Sequence, residues 1–134
     1  MLSDAPRRVF FDVDDTILTV EKRLRRHTHD VFAEISGLGF EIYVWSGVGV
    51  RWEVVEVHGL KPYVIDCYTK PLSRHHERLA ELRIPFVPDH VVDDEPEIVR
   101  AFGGTLVPAP LEATGNDDAL LQVVRDLKQR AARG

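Results

Sequence analysis

"RRVFFDVDDTIL", Arg7 to Leu18, decides how this chain is read. Val9, Phe10 and Phe11 form an apolar run with the β-branched and aromatic content of a buried strand. Directly behind it stand Asp12, Asp14 and Asp15. Carboxylates this close repel one another and hold water, so their place at the end of a buried strand needs a reason. A parallel sheet supplies one, because its ligands bind outside the carboxyl ends of the strands.

Outward from that stretch, short apolar runs alternate with segments of helical spacing. The pattern predicts a first strand over 9–13. Val31, Phe32, Ile35 and Leu38 share one face and predict a helix over about 28–38, closed by Gly37 and Gly39. "FEIYVW" (40–45) predicts the second strand. Val50, Val54 and Val57 mark the next helix, stopped by Gly59. "YVIDC" (63–67) predicts the third strand. Ser73 is placed to cap a helix running to about Leu82, with Leu79 and Leu82 facing inward. "HVV" (90–92) ends the fourth strand. Pro96 suits the first turn of a helix that Gly103 and Gly104 terminate. "TLV" (105–107) is the fifth strand. Asn116 or Asp117 then caps a last helix carrying Leu120, Leu121, Val124 and Leu127.

Strand and helix thus alternate about five times. That predicts an α/β fold: a three-layer, Rossmann-like, doubly wound and mostly parallel sheet of about five strands. The 134 residues suit a single domain spanning 1–134. "VPAPLEATG" (107–115) reads as a loop before the last helix, and no internal repeat or low-complexity tract interrupts the pattern.

Composition narrows the function classes. With 17 basic and 22 acidic residues, a net charge of −5 gives no global electrostatic case for nucleic acid or an anionic membrane. No apolar run reaches the ~18 residues a membrane span needs, and "MLSDAPRRVF" lacks the apolar core of a signal peptide. Cys67 is the single cysteine, which excludes a disulfide framework and a cysteine-based zinc site. A reducing, cytoplasmic setting is the expectation.

The residues that follow each strand would all face one crevice. Asp12, Asp14 and Thr16 follow the first strand, Ser46 and Gly47 the second, Thr69 and Lys70 the third, and Asp93 and Asp94 the fourth. So many carboxylates are tolerable beside a cation, and hard oxygen ligands select Mg²⁺. The ion in turn implies a substrate with anionic oxygens, phosphate foremost. An ordinary aspartate is ionised at neutral pH and can attack phosphorus to form an acyl phosphate. Asp14, two residues on and on the same side of an extended chain, is placed to protonate the leaving oxygen and then to take a proton from water. That role needs a raised pKa, which burial beside other carboxylates would give. Ser46, the Gly47 amide and Lys70 are placed to hold the phosphoryl oxygens.

The chain resembles the haloacid dehalogenase-like superfamily, in its phosphatase branch, over about residues 9–96. Four motifs carry the resemblance in the family's order: "FFDVDDT", "YVWSG", "TKP" and "VVDDEPE". The resemblance implies that Asp12 is the nucleophile and a metal ligand. It implies that Asp14 is the acid/base and lends a backbone carbonyl to Mg²⁺. Asp93 becomes a metal ligand, and Asp94 a second ligand or a partner that holds water or Lys70. Thr16, Ser46, Gly47 and Lys70 become phosphate-binding. Asp15 stands where the family often has Gly, and Asp tolerates unusual backbone angles better than most residues. An acid at position 14 implies turnover rather than a long-lived phosphoenzyme. The gaps 16–46 and 46–70 have no room for a cap domain, so the resemblance is to the capless type. Such an open site takes large substrates or borrows a neighbouring subunit as a lid, which makes a homo-oligomer an expectation.

The expected function is therefore Mg²⁺-dependent hydrolysis of a phosphomonoester, with a catalytically silent binding or scaffold module on the same fold as the alternative. A signalling receiver domain fits less well. Its lysine follows the fifth strand, whereas Lys70 follows the third and an acid pair follows the fourth. Three smaller expectations complete the reading. The four basic residues within 22–26 are candidates to bind the anionic remainder of a substrate, against a solvated loop. His27 with His29, and His75 with His76, read as exposed side chains before zinc ligands. Trp45 and Trp52 read as core or interface.

Overall fold

The computed structural model describes residues 7–110 and 116–133. Residues 1–6 of the stretch read as lacking a signal segment, and 111–115 of the loop before the last helix, lie outside them. In chain order the elements are β1 (Arg7–Asp12), α1 (Thr28–Gly37), β2 (Phe40–Ser46), α2 (Trp52–Val57), β3 (Val64–Thr69), β4 (His90–Asp93), α3 (Pro96–Phe102), β5 (Gly104–Leu106) and α4 (Leu121–Arg133). The strands form one five-stranded sheet in the order β3-β2-β1-β4-β5, and every neighbouring pair is parallel. The expected α/β, doubly wound architecture is what the chain adopts. No helix among the described residues is long and apolar enough to cross a membrane.

Alternation along the strands builds two cores. Val9, Phe11, Ile42, Val44 and Val92 face one side, where Val31, Phe32 and Ile35 of α1, Val54 and Val55 of α2, and Val123, Val124 and Leu127 of α4 cover them. Phe10, Tyr43, Trp45 and Val91 face the other side, against Leu79, Ile84 and Ile98. The second core is largely aromatic: Phe10 stacks on Tyr43 at 4.9 Å and Tyr43 meets Phe86 edge-on at 5.0 Å. Trp45 is fully buried and Trp52 packs against the first core, as expected of core residues.

Three expectations need correction. The segment after Ser73 is a run of turns, with no α-helix between β3 and β4. Arg74 sits at a left-handed φ of 44°, which breaks the backbone where the helix would begin. The segment still ends as a helix does. Ile84 N–H donates to Leu79 O and Arg83 N–H to Ala80 O, with Arg83 at φ 61°, the bonding of a Schellman turn. Leu79 is buried as expected; Leu82 is half-buried. Next, Val50 and Val57 are 52% and 78% exposed, and α2 buries Val54 and Val55 instead. Last, α4 begins at Leu121, later than the expected cap. Asp117 Oδ1 accepts from Ala119 N–H and caps a separate turn ahead of the helix.

The strand order fixes where a site can form. The chain winds outward from β1 through β2 to β3, then returns to the far side of β1 as β4. β1 and β4 therefore flank the point where the winding reverses, and a crevice opens there at the carboxyl edge. Asp12 ends β1 and Asp93 ends β4. The neighbouring pair Phe11 and Val92 is in register, so the two aspartates lie side by side.

Candidate active site

Three carboxylates converge at that crevice. Oxygens of Asp12, Asp93 and Asp94 all lie within 4.8 Å of one another. Lys70, the residue after β3, reaches into the same place. Its Nζ lies 3.2 Å from Asp12 Oδ1 and 3.1 Å from Asp93 Oδ2. The other Asp93 oxygen accepts from Glu95 N–H at 2.9 Å. Asp12, Asp93 and Lys70 are all buried.

Burial and crowding set the charges. Burial first, then the neighbouring Asp93, pushes the Asp12 carboxyl up to about 8. Burial raises Asp93 to about 6 against the pull of Lys70. The Lys70 ammonium is held above its usual range: burial opposes the charge, but Asp12 and Asp93 outweigh it. One ammonium thus does not neutralise the acids, and the site is short of positive charge. Asp12, Asp93 and Asp94 each offer a carboxylate oxygen, and together they could hold a metal ion.

The pocket in front of these acids holds about 240 Å³. Asp12, Asp14, Asp94, Ser46, Gly47 and Lys70 line it, with Val48 and Leu72 as an apolar wall. Gly47 permits that wall, because a Cβ there would come within 2.6 Å of Leu72 Cδ2. Ser46 Oγ accepts from Val48 N–H at 3.3 Å, and Ser46 O accepts from Lys70 N–H at 2.9 Å. That second bond pins the start of the loop after β3, so Lys70 enters the crevice at a fixed height.

The structure redistributes several expected roles. Asp14 lines the pocket, but its carboxylate is outside the acidic cluster. Oδ1 accepts from Lys22 Nζ at 3.0 Å and Oδ2 from Arg51 Nη1 at 3.0 Å. Partial burial alone would raise its pKa, but these two cations outweigh it and hold the carboxyl below its usual range. The raised pKa expected of an acid/base is absent in this arrangement; the side-chain ligand set is Asp12, Asp93 and Asp94, whereas the contribution expected of Asp14 is its backbone carbonyl. Thr16 is fully buried, and its hydroxyl lies 3.2 Å from Asp12 Oδ2 and 3.4 Å from Asp94 Oδ1. It braces the acids and has no access to a phosphoryl group. Asp94 joins the cluster, whereas Lys70 is held by Asp93. Asp15 adopts a left-handed φ of 64°, the conformation anticipated for a residue in a glycine's place.

The basic segment divides. Arg25 is buried and bonded to Asp117, Thr16 O and Pro108 O, so it holds the fold and contacts no substrate. Arg26 pairs with Asp118, and Lys22 reaches Asp14 at the pocket rim. The histidine pairs do not converge on a metal: His27 meets Asp118, His29 meets the His58 carbonyl, and His75 and His76 lie against Phe102. Arg51 was not singled out by sequence. A basic residue in the loop after the second strand, on the edge that carries every other site residue, is the signal that was there to use.

No protein-family model matches this chain, and no functionally curated protein matches it. A solved structure of an uncharacterized protein from Listeria monocytogenes serotype 4b is similar in fold, with a TM-score of 0.64 over 92% of this chain and 97% of that one. The two are 14% identical, so the likeness extends to the α/β fold alone.

Proposed function

We propose that the chain is a Mg²⁺-dependent phosphatase of the capless haloacid dehalogenase-like type, hydrolysing a phosphomonoester through an aspartyl phosphate on Asp12. The observation that carries this reading is the convergence of Asp12, Asp93 and Asp94, with the Lys70 ammonium against the first two, at the winding reversal of the sheet. Asp12, Asp93 and Asp94 would hold the ion, which when bound supplies positive charge to the phosphoryl oxygens and keeps Asp12 ionised.

The chain's own residues supply the rest. Ser46, the Gly47 amide and Lys70 orient the phosphoryl group over Asp12 and stabilise its charge. An Asp12 oxygen bonds to phosphorus while the ester P–O bond breaks and the leaving oxygen takes the proton of Asp14. Water then attacks phosphorus, giving its proton to Asp14, and the P–O bond to Asp12 breaks to release phosphate. Asp14 performs these transfers once its carboxylate leaves Lys22 and Arg51 and takes up a proton from solvent, which the water of the second step then replaces. Thr16 keeps Asp12 in its attacking orientation by hydrogen bonding. Val48 and Leu72 give one side of the reacting group an apolar wall.

The two ion pairs on Asp14 favour a second reading, a phosphate-binding module that does not turn over. Hydrolysis of p-nitrophenyl phosphate separates the two. The phosphatase reading predicts turnover with Mg²⁺, loss on chelation, and loss in Asp12→Asn. Phosphate binding with no turnover at any Mg²⁺ concentration would favour the silent module, and full activity in Asp12→Asn would exclude the mechanism.

A further inference from the structure

Lys22 and Arg51 both stand at the rim of the pocket, outside its lining. They bracket one carboxylate, with Lys22 Nζ and Arg51 Nη1 each 3.0 Å from a different oxygen of Asp14. Arg51 is aimed with care. Its Nε is held by Glu53 Oε1 at 2.9 Å, and its Nη1 lies 3.5 Å from Ser46 Oγ, a phosphoryl-binding position in the reading above. Lys22 is delivered by a short hairpin, in which Thr19 N–H donates to Arg23 O and Lys22 N–H donates to Thr19 O. Lys22 adopts a left-handed φ of 65° to do so, a conformation disfavoured for a residue that carries a side chain.

We propose that Lys22 and Arg51 form a second anion subsite, and that the substrate carries a second anionic group, a carboxylate or a further phosphate, beside its transferring phosphoryl group. This rests on the phosphatase reading and names its substrate class. Deep in the pocket, Lys70 and Ser46 serve the transferring group, so the rim cations are left for another part of the molecule. In the present arrangement Asp14 stands in for that second anion. Giving it up costs little on the Lys22 side, where the side chain is 65% exposed; Arg51 is 18% exposed and keeps its bond to Glu53 when Asp14 leaves. The planar fork of Arg51 matches a carboxylate or phosphate at two points. Once the substrate's second anion takes both cations, the Asp14 carboxylate is free to turn into the pocket that it already lines. A substrate with one anionic group occupies the phosphoryl site but leaves Asp14 bracketed.

Two inert probes test this by calorimetry on the full chain with Mg²⁺: methylphosphonate, with one anionic head, and phosphonoacetate, with the same head and a carboxylate. Wild type is expected to bind phosphonoacetate about tenfold more tightly, a difference of about 1.4 kcal/mol. Lys22→Gln and Arg51→Gln should each shrink that preference below about threefold, and Arg51→Lys should restore part of it, since charge returns without the fork. Thermal unfolding of each variant checks that it is folded, and the exposed Lys22 keeps the test alive if Arg51 variants are not. Equal binding of both probes by wild type, or a preference that survives in both Gln variants, overturns the proposal. Failure of the phosphatase reading looks different: phosphonoacetate is preferred, yet no phosphate ester is turned over.

Discussion

Arg25 and Asp117 meet across 92 positions of sequence in a two-point ion pair, Nε to Oδ2 at 2.7 Å and Nη2 to Oδ1 at 3.2 Å. The same guanidinium donates to Thr16 O at 3.2 Å and Pro108 O at 2.8 Å. It thereby ties the hairpin behind Asp12 to the approach to α4. Removing it leaves Asp117, itself mostly buried, without its main partner.

Arg25→Ala should therefore destabilise the fold by about 3–5 kcal/mol. Arg25→Lys should recover only part of that, because an ammonium cannot make the two-point contact. Urea denaturation measures both. An Arg25→Ala protein with an unchanged urea midpoint and a raised KM would restore this residue to the substrate-binding role that its basic neighbourhood suggests.

His90 gives a pH dependence. Arg130 Nε–H donates to His90 Nδ1 at 3.0 Å, so the ring proton lies on Nε2, which faces Thr105 Oγ1 at 2.8 Å. Thr105 in turn donates to Asp126 Oδ2 at 2.6 Å. The chain of bonds is complete with a neutral ring. Burial, then the Arg130 charge, lowers the His90 pKa from 6.5 to about 4. Below pH 6.5 the unfolded chain takes up a proton that the folded chain refuses. Stability is thus full above about 6.5 and is lost as pH falls toward 4, by about 3 kcal/mol in all. His90→Gln should be less stable at pH 7 but should flatten that slope. A variant with the wild-type slope in urea midpoint between pH 6.5 and 4.5 would assign the effect elsewhere.

The acidic cluster works in the opposite direction. Without a divalent ion, Asp12 and Asp93 hold protons to about 8 and 6, so the folded chain binds more protons than the unfolded one above the ordinary carboxylate range. Their contribution to stability falls as pH rises from about 4 to about 8. Asp12→Asn should then be more stable than wild type in EDTA at pH 8, by about 1 kcal/mol or more, with the gap closing toward pH 4. Mg²⁺ should raise the melting temperature of wild type, by an amount equivalent to about 2.7 kcal/mol at a concentration 100 times its Kd. The rise should be smaller in Asp93→Asn. Equal melting curves with and without Mg²⁺ would contradict the ligand assignment.

Lys70→Met removes a buried ammonium that touches two acids. Hydrolysis should fall by about 10²–10³ if Lys70 stabilises the phosphoryl charge. A variant within twofold of wild type would show that Lys70 only fills the site.

How far the sequence could be read differs from element to element. The sheet was legible because each strand is a short apolar run, and because an acid or hydroxyl (Asp12, Ser46, Asp93) ends β1, β2 and β4 at one edge. Burial in a parallel sheet leaves that imprint directly. The helix expected after Ser73 failed because its apolar spacing survives in a chain of turns, and nothing local announces the left-handed Arg74. Val50 and Val57 kept helical spacing yet face solvent, since α2 is only 6 residues long and buries a single edge. At the site, the identities of Asp12, Asp93, Asp94 and Lys70 were visible from their places after strands. The engagement of Asp14 was not. It depends on Lys22 and Arg51, which lie 8 and 37 positions away and meet it only through folding. Arg25 misled for a related reason: charge in sequence does not say which side chain finds a buried partner.

The proposed covalent step on Asp12 has a direct test. The chain is incubated with Mg²⁺ and a phosphate ester, quenched, reduced with borohydride and mapped by peptide mass spectrometry. An aspartyl phosphate becomes homoserine, so the account predicts homoserine at position 12, present only with both Mg²⁺ and the ester. Hydrolysis that proceeds with Asp12 unmodified, or homoserine at another aspartate, would contradict it.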